Sequence, residues 1–223
     1  MSKDNVLSTD SGEVELSEYD KQLLQRQDQL QVESQQVLAE LKVVDLLSQE
    51  GRLRQTGSTT VGLMVWRDID LQVYSPGLSA EQAFATMQPL LTHPYVTQVR
   101  YLHQSDHFKI EGLGERYFFM IMYQYNQTAE WKLDISFWIE PGIRPEPVQG
   151  ELERVLTPET RLLILRIKDA WYQLPAYRNT VASTDIYDAV LHHGVRTLDD
   201  FDHYLAQRGK PTRAEQHDDV RQD

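Results

Sequence analysis

Between Ser17 and Gln49 the apolar positions Leu23, Leu30, Val37, Leu41 and Val44 recur at intervals of three, four or seven, with no Gly or Pro among them. That spacing predicts one amphipathic helix, with Gln and Glu on its outer face and Gly51 as its stop. Such a helix either packs on the domain that follows or forms a coiled-coil contact between subunits. The preceding residues, 1–16, are polar and aperiodic and read as a disordered tail.

After residue 50 the period shortens. Arg52–Thr56 reads as a short strand, and Ile69–Tyr74 alternates as a half-buried strand does. Ser79-Ala-Glu-Gln82 is a capping box that opens a helix to about Leu91. Of the strands expected between Tyr95 and Glu140, the best defined are Arg116–Tyr125 and Trp131–Ile139, joined by a turn at residues 126–129. Pro141, Gly142, Pro145, Pro147 and Gly150 mark a linker, 141–156. Thr157-Pro158 then caps a helix to about Leu174, followed by helices at 184–192 and 197–207. The chain thus divides into an N-terminal helix (17–50), a mixed segment (51–140), the linker, a helical region (157–208) and a charged tail (209–223) expected to be disordered. The fold class is α+β (α/β): a mixed, partly antiparallel sheet of about five strands, helices on one face and a C-terminal helical part.

Charge and composition narrow the partners. With 34 acidic and 22 basic side chains, the formal net charge is −12, which argues against extended nucleic acid, whose binding needs a basic face. There is no cysteine, so disulfides and thiolate metal sites are excluded and a cytoplasmic location is expected. The N-terminus lacks a signal-like apolar run, and the longest apolar stretch, Tyr117–Tyr123, is too short to span a bilayer. No Walker glycine loop and no serine nucleophile elbow occur.

The segment with chemical content runs from Gly57 to Leu71. Residues two apart in a strand share a face, so Asp68 and Asp70 point together while Ile69 and Leu71 point into the core. Two such carboxylates are costly to keep ionised unless a cation lies between them, and Mg²⁺ suits a few carboxylates plus phosphate oxygens. Taken alone, Asp-x-Asp favours an acidic strand edge in solvent over a metal site. Gly57-Ser58 adds a strand end where a backbone can approach a phosphate and where a hydroxyl and turn amides can donate to it. In Trp131–Phe137, Asp134 lies between Leu133 and Ile135, with Lys132 and Ser136 on the same face. Asp106, Glu111 and Glu115 are rival acids in less regular sequence.

Gly57-Ser58, nine residues, then Asp68-Ile69-Asp70, with Asp134 on a later strand, resembles the signature of the polymerase-beta-like nucleotidyltransferase superfamily, small bacterial antibiotic-nucleotidyltransferase-like proteins included. The resemblance implies Asp68, Asp70 and Asp134 as catalytic metal ligands at a two-metal Mg²⁺ site, with Mn²⁺ as an alternative. It implies transfer of a nucleoside monophosphate, AMP from ATP being the expected case, to an acceptor hydroxyl, with release of pyrophosphate. The acidic surface favours a small acceptor. Protein AMPylation of a toxin–antitoxin kind uses the same chemistry. A non-catalytic nucleotide-binding module on this fold, and an assembly protein built on the N-terminal helix (a homodimer, for instance), are the rival classes. Where the superfamily often has Arg or Lys after Gly-Ser, this chain has Thr59 and Thr60, which leaves the phosphate-neutralising cation to be found.

Candidates for that cation are Lys132 and Lys168. Arg161, Lys168 and Tyr172 form one stripe of the helix after Pro158, opposite Leu163, Ile167, Ala170 and Leu174. The stripe is either a solvated face or a triphosphate contact, and Lys168 is the phosphate ligand it offers. Arg67 and Arg178 suit surface ion pairs. Asp185 and Asp188 fit helix capping, with acceptor binding as the alternative. His103 and His107 with Asp106, and His192 with His193, lack the spacing of a zinc site and read as surface or packing residues.

Overall fold

The structure is a computed structural model that describes residues 16–104, 114–140 and 149–219. Asp106, His107, Glu111 and the proline-rich stretch 141–148 lie outside the described residues, as do residues 1–15. Strands β1 (Arg52–Thr56), β2 (Asp68–Tyr74), β3 (Val96–Gln104), β4 (Arg116–Gln124) and β5 (Glu130–Trp138) form one sheet in the order β1-β2-β5-β4-β3. β2 and β5 are parallel, and the other pairs are antiparallel. This is the mixed α+β sheet expected from the alternation.

One face of the sheet is packed. Ile69, Leu71, Val73, Leu133, Ile135, Phe137, Phe119 and Ile121 point into a core closed by helices α1 (Glu18–Glu40), α2 (Val43–Leu47) and α4 (Ala80–Leu91). The alternation of β2 and β4 between buried and half-buried positions follows from a sheet covered on that face and only partly on the other. β3 is an edge strand, largely exposed, and its weak alternation explains why the sequence marks it less clearly than β4 and β5.

A second apolar cluster joins α3 (Ser58–Val61), the segment Leu63–Val65 and the helices α5 (Gln149–Val155), α6 (Pro158–Trp171), α7 (Ser183–His192) and α8 (Leu198–Ala206). Its centre is Ile164, Ile167, Trp171, Val181, Ile186 and Phe201, all fully buried. The N-caps Ser17, Ser79, Thr157 and Thr197 each accept a hydrogen bond from the N3 amide, which places the starts of α1, α4, α6 and α8.

Three expectations need correction. The N-terminal helix is not continuous to Gln49: Lys42 adopts the left-handed conformation (φ 50°), which ends α1 and redirects α2. Val43 and Leu47 are consequently buried, and Val44, counted in the apolar stripe, is 50% exposed. The linker contains a helix, α5, at its C-terminal end. The C-terminal tail contains α9 (Arg213–Asp219), held by Arg213 on Asp199 and Asp202 and by the Gln216 side chain, which accepts from the Ala176 amide at 2.8 Å. Among the described residues no helix is long and apolar enough to cross a membrane.

Helix α1 reaches both clusters. Leu30, Val37 and Leu38 belong to the core beneath the sheet, and Leu24 packs against the helical cluster. Its first turns are pinned to α6. Arg166 donates twice to Asp20 at 2.7 Å, Arg26 pairs with Asp169, and the Tyr19 hydroxyl donates to Asp169 at 2.7 Å. Asp20 is nearly inaccessible, and the paired guanidinium holds its carboxyl well below the usual carboxylate range. Asp20→Ala is expected to cost about 2 kcal/mol, because it removes both the capping box and this pair. Urea denaturation monitored by tryptophan fluorescence checks it.

Candidate active site

The parallel register of β2 and β5 sets Asp70 directly beside Asp134, and Asp68 beside Lys132. With Ile69, Leu71, Leu133 and Ile135 anchored in the core, all four polar side chains stand on the opposite face. Asp68, Asp70 and Asp134 each offer an oxygen, and these oxygens lie within 4.8 Å of one another. Neighbouring parallel strands thus bring together two acids that are 64 residues apart.

Gly57 makes the third side of the cluster. It follows β1 and precedes α3, with φ 76° and ψ −164°. A Cβ placed there would lie 2.0 Å from Asp70 Oδ2, so the carboxylate occupies the space that a side chain would take. Ser58 is buried at the start of α3, and the Thr59 and Thr60 hydroxyls are turned back on the Thr56 and Gly57 carbonyls at 3.0 Å. Gly62 closes α3 in the left-handed conformation, with the Arg161 guanidinium packed where a Cβ would sit.

Two lysines answer the acids. Lys132 Nζ donates to Asp134 Oδ2 at 2.5 Å and lies 3.3 Å from Asp68 Oδ1, bridging the strands. Burial works against its ammonium, but Asp68 and Asp134 outweigh it and push the pKa up. Lys168, expected on a solvated or phosphate-facing stripe, is almost wholly buried. Its Nζ donates to the Leu63 carbonyl at 2.6 Å and lies 3.4 Å from the Tyr187 hydroxyl. Burial lowers its pKa to about 8, against the opposing charges of Asp68 and Asp70, so it stands behind the acid cluster with a proton it holds weakly. The solvated-face reading fails because α6 is buried on nearly every side, Arg166 turning to α1.

Burial raises Asp68 to about 6, opposed by Lys132 and reinforced by Asp134. It raises Asp70 to about 8, reinforced by Asp68 and Asp134 and opposed by Lys132 and Lys168. Both groups have an ordinary value of 3.8, so the metal-free fold retains protons that the unfolded chain has released. Stability from these groups is complete below about pH 4 and declines as pH rises through 6 and then 8. In chelator, Tm is expected to fall by several degrees between pH 5 and pH 8. A series of thermal melts measures it, and a flat profile would contradict the burial of these acids.

The carboxylate set suits a divalent metal. It combines hard oxygen donors, a glycine cradle shaped by Asp70, and an Asp134 Oδ1 that is buried without a hydrogen-bond partner. Among the described residues no histidine joins such a group. His103 instead lies 2.9 Å from Glu115, which removes Glu115 as a third acid, and His193 lies 3.2 Å from Asp188. Asp185 caps the Ala182 amide and pairs with Lys210, as its helix-end position suggested. Arg67 pairs with Glu33 at 2.9 Å.

Arg178 departs from the ion-pair expectation. Its guanidinium lies 4.1 Å over the Trp66 ring, and its charge favours ionised Asp68. Trp66 also carries Lys132 at 5.5 Å and lines a cavity of about 530 Å³ with Val65, Met122 and Tyr172. The sequence offered a signal for Trp66, an aromatic two residues before Asp68, that strand alternation could not use. Arg116, on β4, was missed as well. It donates to Ser136, two residues from Asp134 on the same strand.

No protein-family model matches this chain, and no curated protein matches it in sequence. Among solved structures, that of Cid1, which has RNA terminal uridylyl transferase activity, is similar with a TM-score of 0.53 at 16% identity. The match covers 80% of this chain and 53% of that one, so the chain spans about half the length of the solved structure. The mixed sheet, the carboxylates paired across β2 and β5 and the flanking helices together give this protein a nucleotidyltransferase-like fold.

Proposed function

We propose that this chain is a metal-dependent nucleotidyltransferase that moves a nucleoside monophosphate, AMP from ATP in the first instance, to a hydroxyl of a small acceptor. The observation that carries this reading is the set Asp68, Asp70 and Asp134 on one sheet face, with Asp70 seated against Gly57. Asp68, Asp70 and Asp134 would together hold the divalent metal that accompanies the triphosphate. Bound Mg²⁺ or Mn²⁺ supplies neutralisation of the phosphate charge and activation of the acceptor hydroxyl.

The chain's own groups do the rest. Gly57 and Ser58 bring backbone and hydroxyl donors to the phosphates at the start of α3. Lys132, which pairs with Asp68 and Asp134, is the cation this face would offer to a phosphate oxygen. Lys168 supplies positive charge from behind the acids and fixes the Leu63 carbonyl at the turn into β2. Residues 51–140 are then the catalytic part, and α6 completes the nucleotide site. The net charge of −12 supports a small acceptor over a long nucleic acid.

Calorimetric titration of each nucleoside triphosphate, with Mg²⁺ and with chelator, tests the reading on the wild type and the Asp68→Asn/Asp70→Asn double variant. Metal-dependent binding that the double variant loses is the expected result. Absence of binding by the wild type would sink it, and binding without any pyrophosphate release across acceptors would favour a non-catalytic nucleotide-binding module.

A further inference from the structure

The sheet face that carries Asp134 continues towards β4, and the neighbours on it follow from the register. Met120 lies beside Asp134, Phe118 beside Ser136, and Arg116 beside Trp138. Arg116 is half-buried and held from two sides: Nη1 donates to Ser136 Oγ at 2.9 Å, and Nε donates to Gln104. Its guanidinium lies 5.1 Å from the Phe118 ring centre and 5.0 Å from that of Trp138. Ser136 is itself 95% buried, being 5% exposed, so this is a fixed cation and not a surface side chain swinging in water.

A guanidinium has five N–H donors, and these two bonds use two of them. No ion pair is seen for Arg116 among the described residues, and Asp134 acts on it through space. A half-buried, oriented fork of donors that meets no carboxylate among the described residues is built for a planar or tetrahedral oxyanion. Its position relative to the reacting group is also set. Ser136, which holds the guanidinium, is two residues from Asp134 along β5, about 7 Å by strand rise. Beside these two, on β4, stand the half-buried apolar side chains of Met120 and Phe118.

We propose that Arg116 is the specificity-determining residue of the acceptor site, and that the acceptor is a small hydroxyl compound bearing an oxyanion, phosphate or carboxylate, about 7 Å from the reacting hydroxyl. This rests on the nucleotidyltransferase reading for the location of that hydroxyl at Asp134. A sugar phosphate meets the spacing, because its ring separates a hydroxyl from the ester phosphate by several bonds. The apolar floor would take the ring, Arg116 the anion and Asp134 the hydroxyl. A cationic acceptor such as an amino sugar is disfavoured at the same place.

The test uses three probes of related shape on the full chain: ribose 5-phosphate, gluconate and ribose, each titrated by calorimetry with and without Mg²⁺ and a non-hydrolysable ATP analogue. The wild type should bind at least one of the two anions at least about tenfold more tightly than ribose, the worth of a charge-assisted pair. Which anion binds tells phosphate from carboxylate. Arg116→Gln should erase the preference and Arg116→Lys should restore part of it, with analogue binding retained in the Lys variant. A purely structural Arg116 would lower Tm in both variants and leave the preference intact, which overturns the proposal. So does equal binding of ribose, or no binding of either anion. Loss of analogue binding by the wild type, with the anion preference retained, would instead refute the nucleotidyltransferase reading and leave the anion site standing.

Discussion

Asp70→Asn is expected to lower metal-dependent turnover by at least about a thousandfold while raising the stability of the metal-free protein at pH 8. The first effect follows from position. Asp70 is the acid that faces both Asp134 across the parallel strands and Gly57 across the turn, so its removal leaves no carboxylate at the centre of the set. Loss of a ligand that stabilises transferring phosphate charge costs several kcal/mol of transition-state energy, and a thousandfold is about 4 kcal/mol. The second effect has the opposite sign. Asp70 is raised to about 8 by burial and by its acidic neighbours, so near that pH the fold carries a group that it is reluctant to ionise. Asparagine keeps the shape and removes the charge. Its Tm in chelator should therefore exceed that of the wild type at pH 8, and the difference should shrink towards pH 5, where wild-type Asp70 is protonated in the fold. Steady-state turnover and paired melts at the two pH values measure both arms. A variant that is inactive and also less stable at pH 8 would mean that Asp70 holds the fold together through contacts other than charge.

Gly57→Ala is expected to be damaging twice over. The backbone at φ 76° and ψ −164° lies in a region reserved for glycine, which costs about 1–3 kcal/mol for any other residue. The added methyl would also meet Asp70 Oδ2 at 2.0 Å, well inside contact distance. The carboxylate would have to rotate away, or β1 and α3 would have to part. Either response moves an acid out of the set, so Mg²⁺-dependent nucleotide binding should be lost along with stability. Combining it with Asp70→Ala separates the causes. The double variant should regain the part of the stability lost to the clash and keep the part lost to backbone strain, with no recovery of nucleotide binding. A Gly57→Ala protein with wild-type melting and binding would show that the turn is free to adopt another shape.

The parts legible in the sequence are those where one physical rule acts alone. Alternation in Asp68–Tyr74 and Trp131–Trp138 gave the inward and outward faces of β2 and β5, because both strands bury one face in full. The capping box at Ser79 and the cap at Thr157-Pro158 fixed the starts of α4 and α6 for the same reason, since the signal is local. The convergence of Asp68, Asp70 and Asp134 depends on a parallel pairing that no local pattern encodes, and only the family resemblance anticipated it. Lys168 shows how a helical wheel misleads: charge suggested an outer face, but α6 runs through the second cluster and buries the lysine against Leu63. The break at Lys42 was illegible because a lysine in the left-handed conformation carries no glycine or proline to announce it. Arg116 was hidden because its meaning comes from Ser136, Gln104 and Trp138, which only the register of β4 with its two neighbours brings to it.

Helix α1 has a mechanical consequence for traffic through the site. Because it is sewn into the core beneath the sheet and tied by Asp20 and Arg26 to α6, it works as a splint laid across the two halves. The halves cannot swing apart like jaws without tearing out a rod of 23 residues. The proposed reaction then needs an entry that works without such a hinge, past Lys132 and the Trp66 ring with Arg178 over it. A chain braced in this way should melt as one cooperative body and should admit only what slips past those side chains.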